Sequence, residues 1–210
     1  MEPSVIWEPE EVWDELAALG LDYDGLVACV RYAEQEHSFV TANDAVGFAS
    51  LVVYDKSGRA LREKYLGADW KRDNSSNQCA IRNDATKVRV VPCNFDECAG
   101  DRLREPTNRA PKGEVSKRKS RCNRTLMIPG LLDDSTDPDD QIHTWLLGMH
   151  IDGVLPTTAE LSLPVDFDGQ YYTEFAKRII LLSGNEDDAP RSRRKNEDPT
   201  EDADIVIRRK

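Results

Sequence analysis

The sequence predicts an α+β fold: N-terminal helices packed on a mainly antiparallel β-sheet, followed by a flexible charged C-terminal tail. Three observations predict it. Apolar residues recur at helical spacing near the N-terminus. Short Val-, Ile- and Leu-rich runs between turn residues fill the second half of the chain up to about residue 183. From Gly184 onward 15 of the 27 residues are charged, and Pro190 and Pro199 interrupt the run. We therefore divide the chain into a single domain, 1–183, carrying a long basic loop at about 94–124, and a tail, 184–210.

The elements follow in order. Residues 8–19, "EPEEVWDELAAL", predict a helix: Pro9 suits a first turn, acids follow near the positive dipole end, and Val12, Trp13, Leu16 and Leu19 share a face. A second helix over 22–36 is capped by Asp22 or Asp24, with Leu26, Val27, Val30 and Ala33 inward. Residues 44–66 admit a hairpin turning at "DKSG" or one helix; "RALREKYL" holds strong helix formers and does not alternate, which favours the helix. That helix places Leu51, Tyr54, Leu61 and Tyr65 on one stripe, capped by Thr41, Asn43 or Asp44. Runs 78–82 and 87–92 flank the turn "NDAT" as a β-hairpin. Residues 94–124 read as polar and irregular, and "DDSTDPDD" as an acidic turn. "HTWLLGMHID", "AELSLPV" and "KRIILLS" predict three strands, while "YYTEFAKR" fits a short helix or a strand entry.

Composition limits the function classes. The 210 residues suffice to bury a core without disulfide or metal support. The net charge of −11 opposes wholesale coating of nucleic acid or of an anionic membrane. The opening "MEPSVIWEPEEVWDEL" lacks a basic and then apolar leader, and "WLLGM" and "RIILL" fall short of the roughly 18 residues of a membrane span. The expectation is a soluble cytoplasmic protein with no membrane partner. Five cysteines, an odd number, suit a reducing compartment.

The segments "FVTANDAVGFAS", "RALREKYLGADWKRDNSSN" and "AELSLPV" followed by "KRIIL" resemble parts of a family of uncharacterised proteins of about this length, carried on bacterial plasmids and prophages. The resemblance implies a bacterial, mobile-element setting. It carries over no function and no functional residue.

Chemistry has few places to sit. Cys79, Cys93, Cys98 and Cys122 form a zinc candidate if four thiolates converge, with the hairpin bringing Cys79 near Cys93. Against it stand the loose Cys93-x4-Cys98 spacing, the missing second CxxC and the flanking Asp96 and Glu97; the plain alternative is scattered reduced thiols. No other cofactor is expected. His143 and His150, seven apart, fall on opposite faces of a strand. Asp84, Asp96, Glu114 and Lys117 are the groups a metal-dependent nuclease would have to gather. The chain has neither a Walker loop nor G-x-G-x-x-G.

The strongest compositional signal is residues 102–124, which hold nine Lys or Arg and two Glu, a net +7 that leaves −18 on the remainder. Arg109, Lys112, Lys117, Arg118, Lys119, Arg121 and Arg124 are the candidate phosphate contacts, without an aromatic for base stacking. Pairing with the protein's own acids or with a partner protein competes equally, and a merely solvated loop is the third reading. The expected function is a non-enzymatic mobile-element accessory protein touching nucleic acid or a nucleoprotein complex through this segment. The alternative is an acidic interaction or inhibitor protein binding a basic host partner, and the third is a metal-dependent nuclease.

Overall fold

The computed structural model describes residues 3–67, 69–127 and 138–184. Its described strands form one seven-stranded sheet. The chain enters through an edge strand, β1 (Ser4–Ile6), and continues into three helices: α1 (Pro9–Ala18), α2 (Tyr23–His37) and α3 (Phe48–Tyr65). A meander of β2 (Lys71–Asp73), β3 (Ala80–Asn83) and β4 (Val88–Asn94) follows. After an irregular stretch comes α4 (Glu114–Leu126), and then a second meander, β5 (His143–His150), β6 (Thr158–Asp168) and β7 (Tyr171–Leu182). The sheet order is β1-β7-β6-β5-β4-β3-β2. The β1–β7 and β4–β5 pairs are parallel and the other four antiparallel, so the fold is α+β as the sequence predicts.

Helices cover both faces of this sheet. Val12 and Leu16 of α1, Leu26, Val30 and Ala33 of α2, and Val53 and Leu61 of α3 bury against Ile81, Val90, Leu147, Leu161 and Ile179. Asp22 caps α2 by accepting from the Gly25 amide at 2.7 Å. The opposite face holds a smaller apolar cluster around Phe95, Leu146, Tyr172 and Phe175, and a set of buried polar side chains under α4. Double coverage explains why β5 and β6 are buried along nearly their whole length rather than on alternate residues.

Five expectations change. Residues 48–65 are one helix, as favoured, but it starts at Phe48 after Gly47, whose φ is +85°. Thr41 and Asp44 do not cap it; the Thr41 amide donates to the Asp44 carboxylate within the preceding turn. Leu51 faces solvent, and Val52, Val53, Ser57, Gly58 and Leu61 are the buried positions. Of the two readings of "YYTEFAKR" the short helix falls and the strand entry holds: it is residues 171–178 of β7, where Glu174, Lys177 and Arg178 are all paired. The loop expected over 94–124 ends at Gly113, and the rest is α4. The tail from 185 onward and most of "DDSTDPDD" lie outside the described residues.

Candidate functional site

α4 forms without an apolar face. Its buried positions are Ser116, Lys119, Ser120 and Asn123, at the i, i+3, i+4, i+7 spacing of one helix face. Asn123 is its anchor. The side-chain amide donates to the Thr144 carbonyl at 2.9 Å and the Pro164 carbonyl at 2.8 Å, and its oxygen accepts from the Thr144 amide at 2.8 Å. Three bonds thus tie α4 to β5 and β6 at once. Replacing Asn123 by Ala strands these buried groups and is expected to cost about 2 kcal/mol, read as a lower urea midpoint with unchanged slope.

The predicted phosphate-binding set lies on and just before this helix, and most of its charge is spent inside the molecule. Lys119 is buried. Lys117 lies 3.7 Å from Glu114, Arg118 lies 3.8 Å from Asp140, and Arg124 donates to Glu174 at 2.9 Å and lies 3.9 Å from Asp166. Earlier in the segment Arg102 stacks over the Trp7 ring at 3.7 Å and Arg104 pairs with Asp101 at 2.6 Å. Arg109, Lys112 and Arg121 form no ion pair with a described residue.

The zinc candidates are dispersed. Cys79 packs on Gly58 of α3, whereas Cys93 belongs to the apolar cluster on the other face of the sheet. Cys122 faces Asp140, with Sγ 3.3 Å from the carboxylate. Burial pushes the Cys93 thiol up to about 11, and burial together with Asp140 pushes Cys122 up to about 11, so both are protonated, poor nucleophiles at neutral pH. Among the described residues no three or more His, Cys, Asp or Glu side chains gather as a metal-holding group. Asp84 and Asp96 flank opposite ends of β4, about 20 Å apart at strand rise, too far to share a metal. Asp84 pairs with Lys71 and Arg82, while Asp96 accepts from the Cys98 and Thr107 amides. His150 reaches the Phe95 carbonyl at 3.3 Å and Asp152 at 3.2 Å, and His143 lies on the other face of β5.

Two features were missed by sequence reasoning. One is an exposed apolar surface in the α2–α3 connection: Phe39 is 70% exposed, Val46 107%, Phe48 40% and Leu51 58%. The first turn of α3 is seated on the end of β4, where Asn94 donates to the Ser50 carbonyl at 2.8 Å. Gly153 lies against the His37 ring, which brings exposed Val154 and Leu155 beside the C-terminus of α2. The other is a cleft of about 470 Å³ beside the N-terminus of α4. Its outer wall is the Ser75–Gln78 turn, where Ser76 and Asn77 hold φ of 55° and 58°. Arg89 fixes this turn, donating to Asp73 at 2.6 Å and to Gln78 at 2.8 Å. Burial would raise the Asp73 carboxyl, but the Ser75 amide and Arg89 hold it below its ordinary value.

The class these features define is an α+β protein with a two-sided mixed sheet, an internally neutralised basic helix, an exposed apolar end and one acid-free cleft. Compared with known proteins, the chain matches no family model, no curated protein and no solved structure. Among the described residues no helix is long and apolar enough to cross a membrane.

Proposed function

We propose that this protein is a binding protein that docks a basic protein partner on the exposed apolar end formed by the α2–α3 connection and the loop after β5. The observation that carries the reading is the exposure of Phe39, Val46, Phe48 and Leu51 over the α2–α3 connection and the first turn of α3. Monomeric proteins rarely leave clustered large apolar side chains in water, and such clusters mark interaction sites. The partner's charge follows from the surroundings. From His37 to Asp55 the chain carries Asp44 and Asp55 and no Lys or Arg, and the neighbouring loop adds Asp152. An apolar centre within an acidic rim complements a basic face and speeds its approach.

The phosphate-contact reading of 102–124 has weaker support. Of its nine cations, Lys119 is buried and five others already sit against an acid or an aromatic ring. A mobile-element setting, as the sequence resemblance implies, makes the neighbouring genes the first place to look for a basic product.

Photo-crosslinking tests the proposal. A benzophenone amino acid is placed at Leu51, at Val154 or, as the α4 control, at Arg121 of the full chain in its own cells. Leu51 and Val154 are expected to give the same discrete adduct with a basic protein, and Phe39→Ser is expected to abolish it. Adducts confined to Arg121 and sensitive to nuclease would establish nucleic-acid contact instead. Absence of a Phe39-dependent adduct, or an acidic partner, would sink the proposal.

A further inference from the structure

The cleft beside α4 opens where β4 outruns β3, since the β3–β4 ladder stops at Val90. Its floor is Val91, Pro92 and Cys93 of β4 with Leu146 of β5. Pro92 suits this open edge, because it has no amide to leave unpaired. Tyr54 of α3 and the Ser75–Gln78 turn form one side; Lys112, Val115 and Tyr172 form the other. The volume lies in the range that holds small organic molecules.

The lining is unusual in its charge. In a chain with 39 acidic residues, none of the fourteen residues around the cleft is Asp or Glu, and the one charged side chain is Lys112. Hydrogen-bond donors converge there from several directions. The Tyr54 hydroxyl accepts from the Cys79 amide at 2.9 Å, and its own proton has no acceptor among the described residues. Gly113 begins α4 with no side-chain cap, so the Glu114 and Val115 amides keep their first-turn protons unpaired. The Glu114 carboxylate at the start of α4 is exposed and lies 3.7 Å from Lys117.

We propose that this cleft binds a small organic phosphate. The phosphoryl group sits between Lys112, the first turn of α4 and the Tyr54 hydroxyl, where donors approach a tetrahedral anion from different sides. A flat apolar body lies over Val91 and Leu146, register partners on one face of the sheet, beside Tyr172. Tyr172 is buried and held edge-on to Phe167, with ring centroids 5.2 Å apart. The site shares no residue with the apolar docking end, so the two proposals stand or fall separately.

The test uses the full-length protein and four probes: phenyl phosphate, benzoate, phenol and inorganic phosphate. Binding is read by amide chemical-shift perturbation and thermal shift. Phenyl phosphate is expected to bind with a Kd of about 1 mM or tighter, perturbing Tyr54, Lys112 and Val115, with phenol and inorganic phosphate each at least tenfold weaker. Lys112→Glu should weaken it tenfold or more, and Val115→Trp, which fills the cleft, should abolish it while both variants keep the parent's spectrum elsewhere. Preference for benzoate, perturbations spread over exposed Lys and Arg, or affinity unchanged in both variants would overturn the assignment.

Discussion

Arg178→Met is expected to destabilise the protein by about 3–5 kcal/mol, a loss set by a fully buried ion pair. Arg178 and Glu160 are fully buried on the α4 side of the sheet, facing each other across β6 and β7. Arg178 donates from Nε at 2.9 Å and from Nη2 at 2.5 Å, a bidentate pair that satisfies both carboxylate oxygens. Glu160 also accepts from the Gly100 amide at 2.8 Å and from the Ser162 hydroxyl. Removing the guanidinium leaves a carboxylate in a site without water, and this uncompensated charge, rather than the lost attraction, sets the cost. A loss of this size is a large part of ordinary domain stability.

The same change has a local readout. Arg178 donates to the carbonyls of Arg104 and Asp101, each at 2.9 Å, and so straps the 100–104 segment to β7. In the variant this strap is gone, and trypsin is expected to cut after Arg102 or Arg104 under conditions where the parent resists. The double variant Glu160→Leu/Arg178→Met separates the two effects. It removes the stranded charge and should recover most of the stability while leaving the loop cleavable. Equal stability of the single variant and the parent in urea would show that the pair is solvated in solution.

How much of this was legible beforehand depends on what each element buries. α1 and α2 bury Val12, Leu16, Leu26 and Val30, and their apolar period declared them. α3 was ambiguous because "DKSG" can turn a hairpin; in the fold, Ser57 and Gly58 are buried small residues that let the helix approach Cys79. α4 gave no apolar period at all. The signal present was small polar residues, Ser116, Ser120 and Asn123, recurring at helical spacing among the cations. β7 was split in reading by Glu174, Lys177 and Arg178, each answered by a partner distant in sequence: Arg124, Glu15 and Glu160. β1 and β2, three residues each at the sheet edges, are too short for a pattern.

The candidate sites were less legible for the same reason. Composition located the cations of 102–124 but not the acids that meet them, since Asp140 arrives from the turn before β5, Asp166 from β6 and Glu174 from β7. Segments as far apart as Tyr54 and Tyr172 build the cleft, and no local motif announces it. Phe39, Phe48 and Leu51 are of types most often buried. Their exposure follows from the start of α3 at Phe48, which turns Leu51 outward and Val52 and Val53 inward.

Gly148→Ala is expected to cost about 3 kcal/mol, although it adds one methyl group to the middle of a strand that any residue can form. Gly148 lies in β5 opposite Cys93 of β4. A Cβ at this position would fall 2.1 Å and 2.2 Å from two atoms of the Phe95 ring and 2.8 Å from a third. Phe95 cannot swing aside. It is fully buried, packed edge-on to Phe175 with centroids 5.9 Å apart, and its amide donates to the Met149 carbonyl at 2.9 Å. Gly148 is therefore the hole into which a phenyl ring is set, and its role is steric rather than conformational. The cost should appear as a thermal midpoint lower by roughly 6–12 °C. Its origin is checked by a size swap: Gly148→Ala/Phe95→Leu should be more stable than the sum of the two single losses, because the methyl then occupies space the ring has left. Strict additivity of the two changes would show that the methyl and the ring do not compete for that space. His150, whose ring nitrogen meets the Phe95 carbonyl, gives a second check. Its imidazole resonances should shift in Gly148→Ala and move back toward the parent values in the swap, since the backbone at Phe95 is what the methyl displaces.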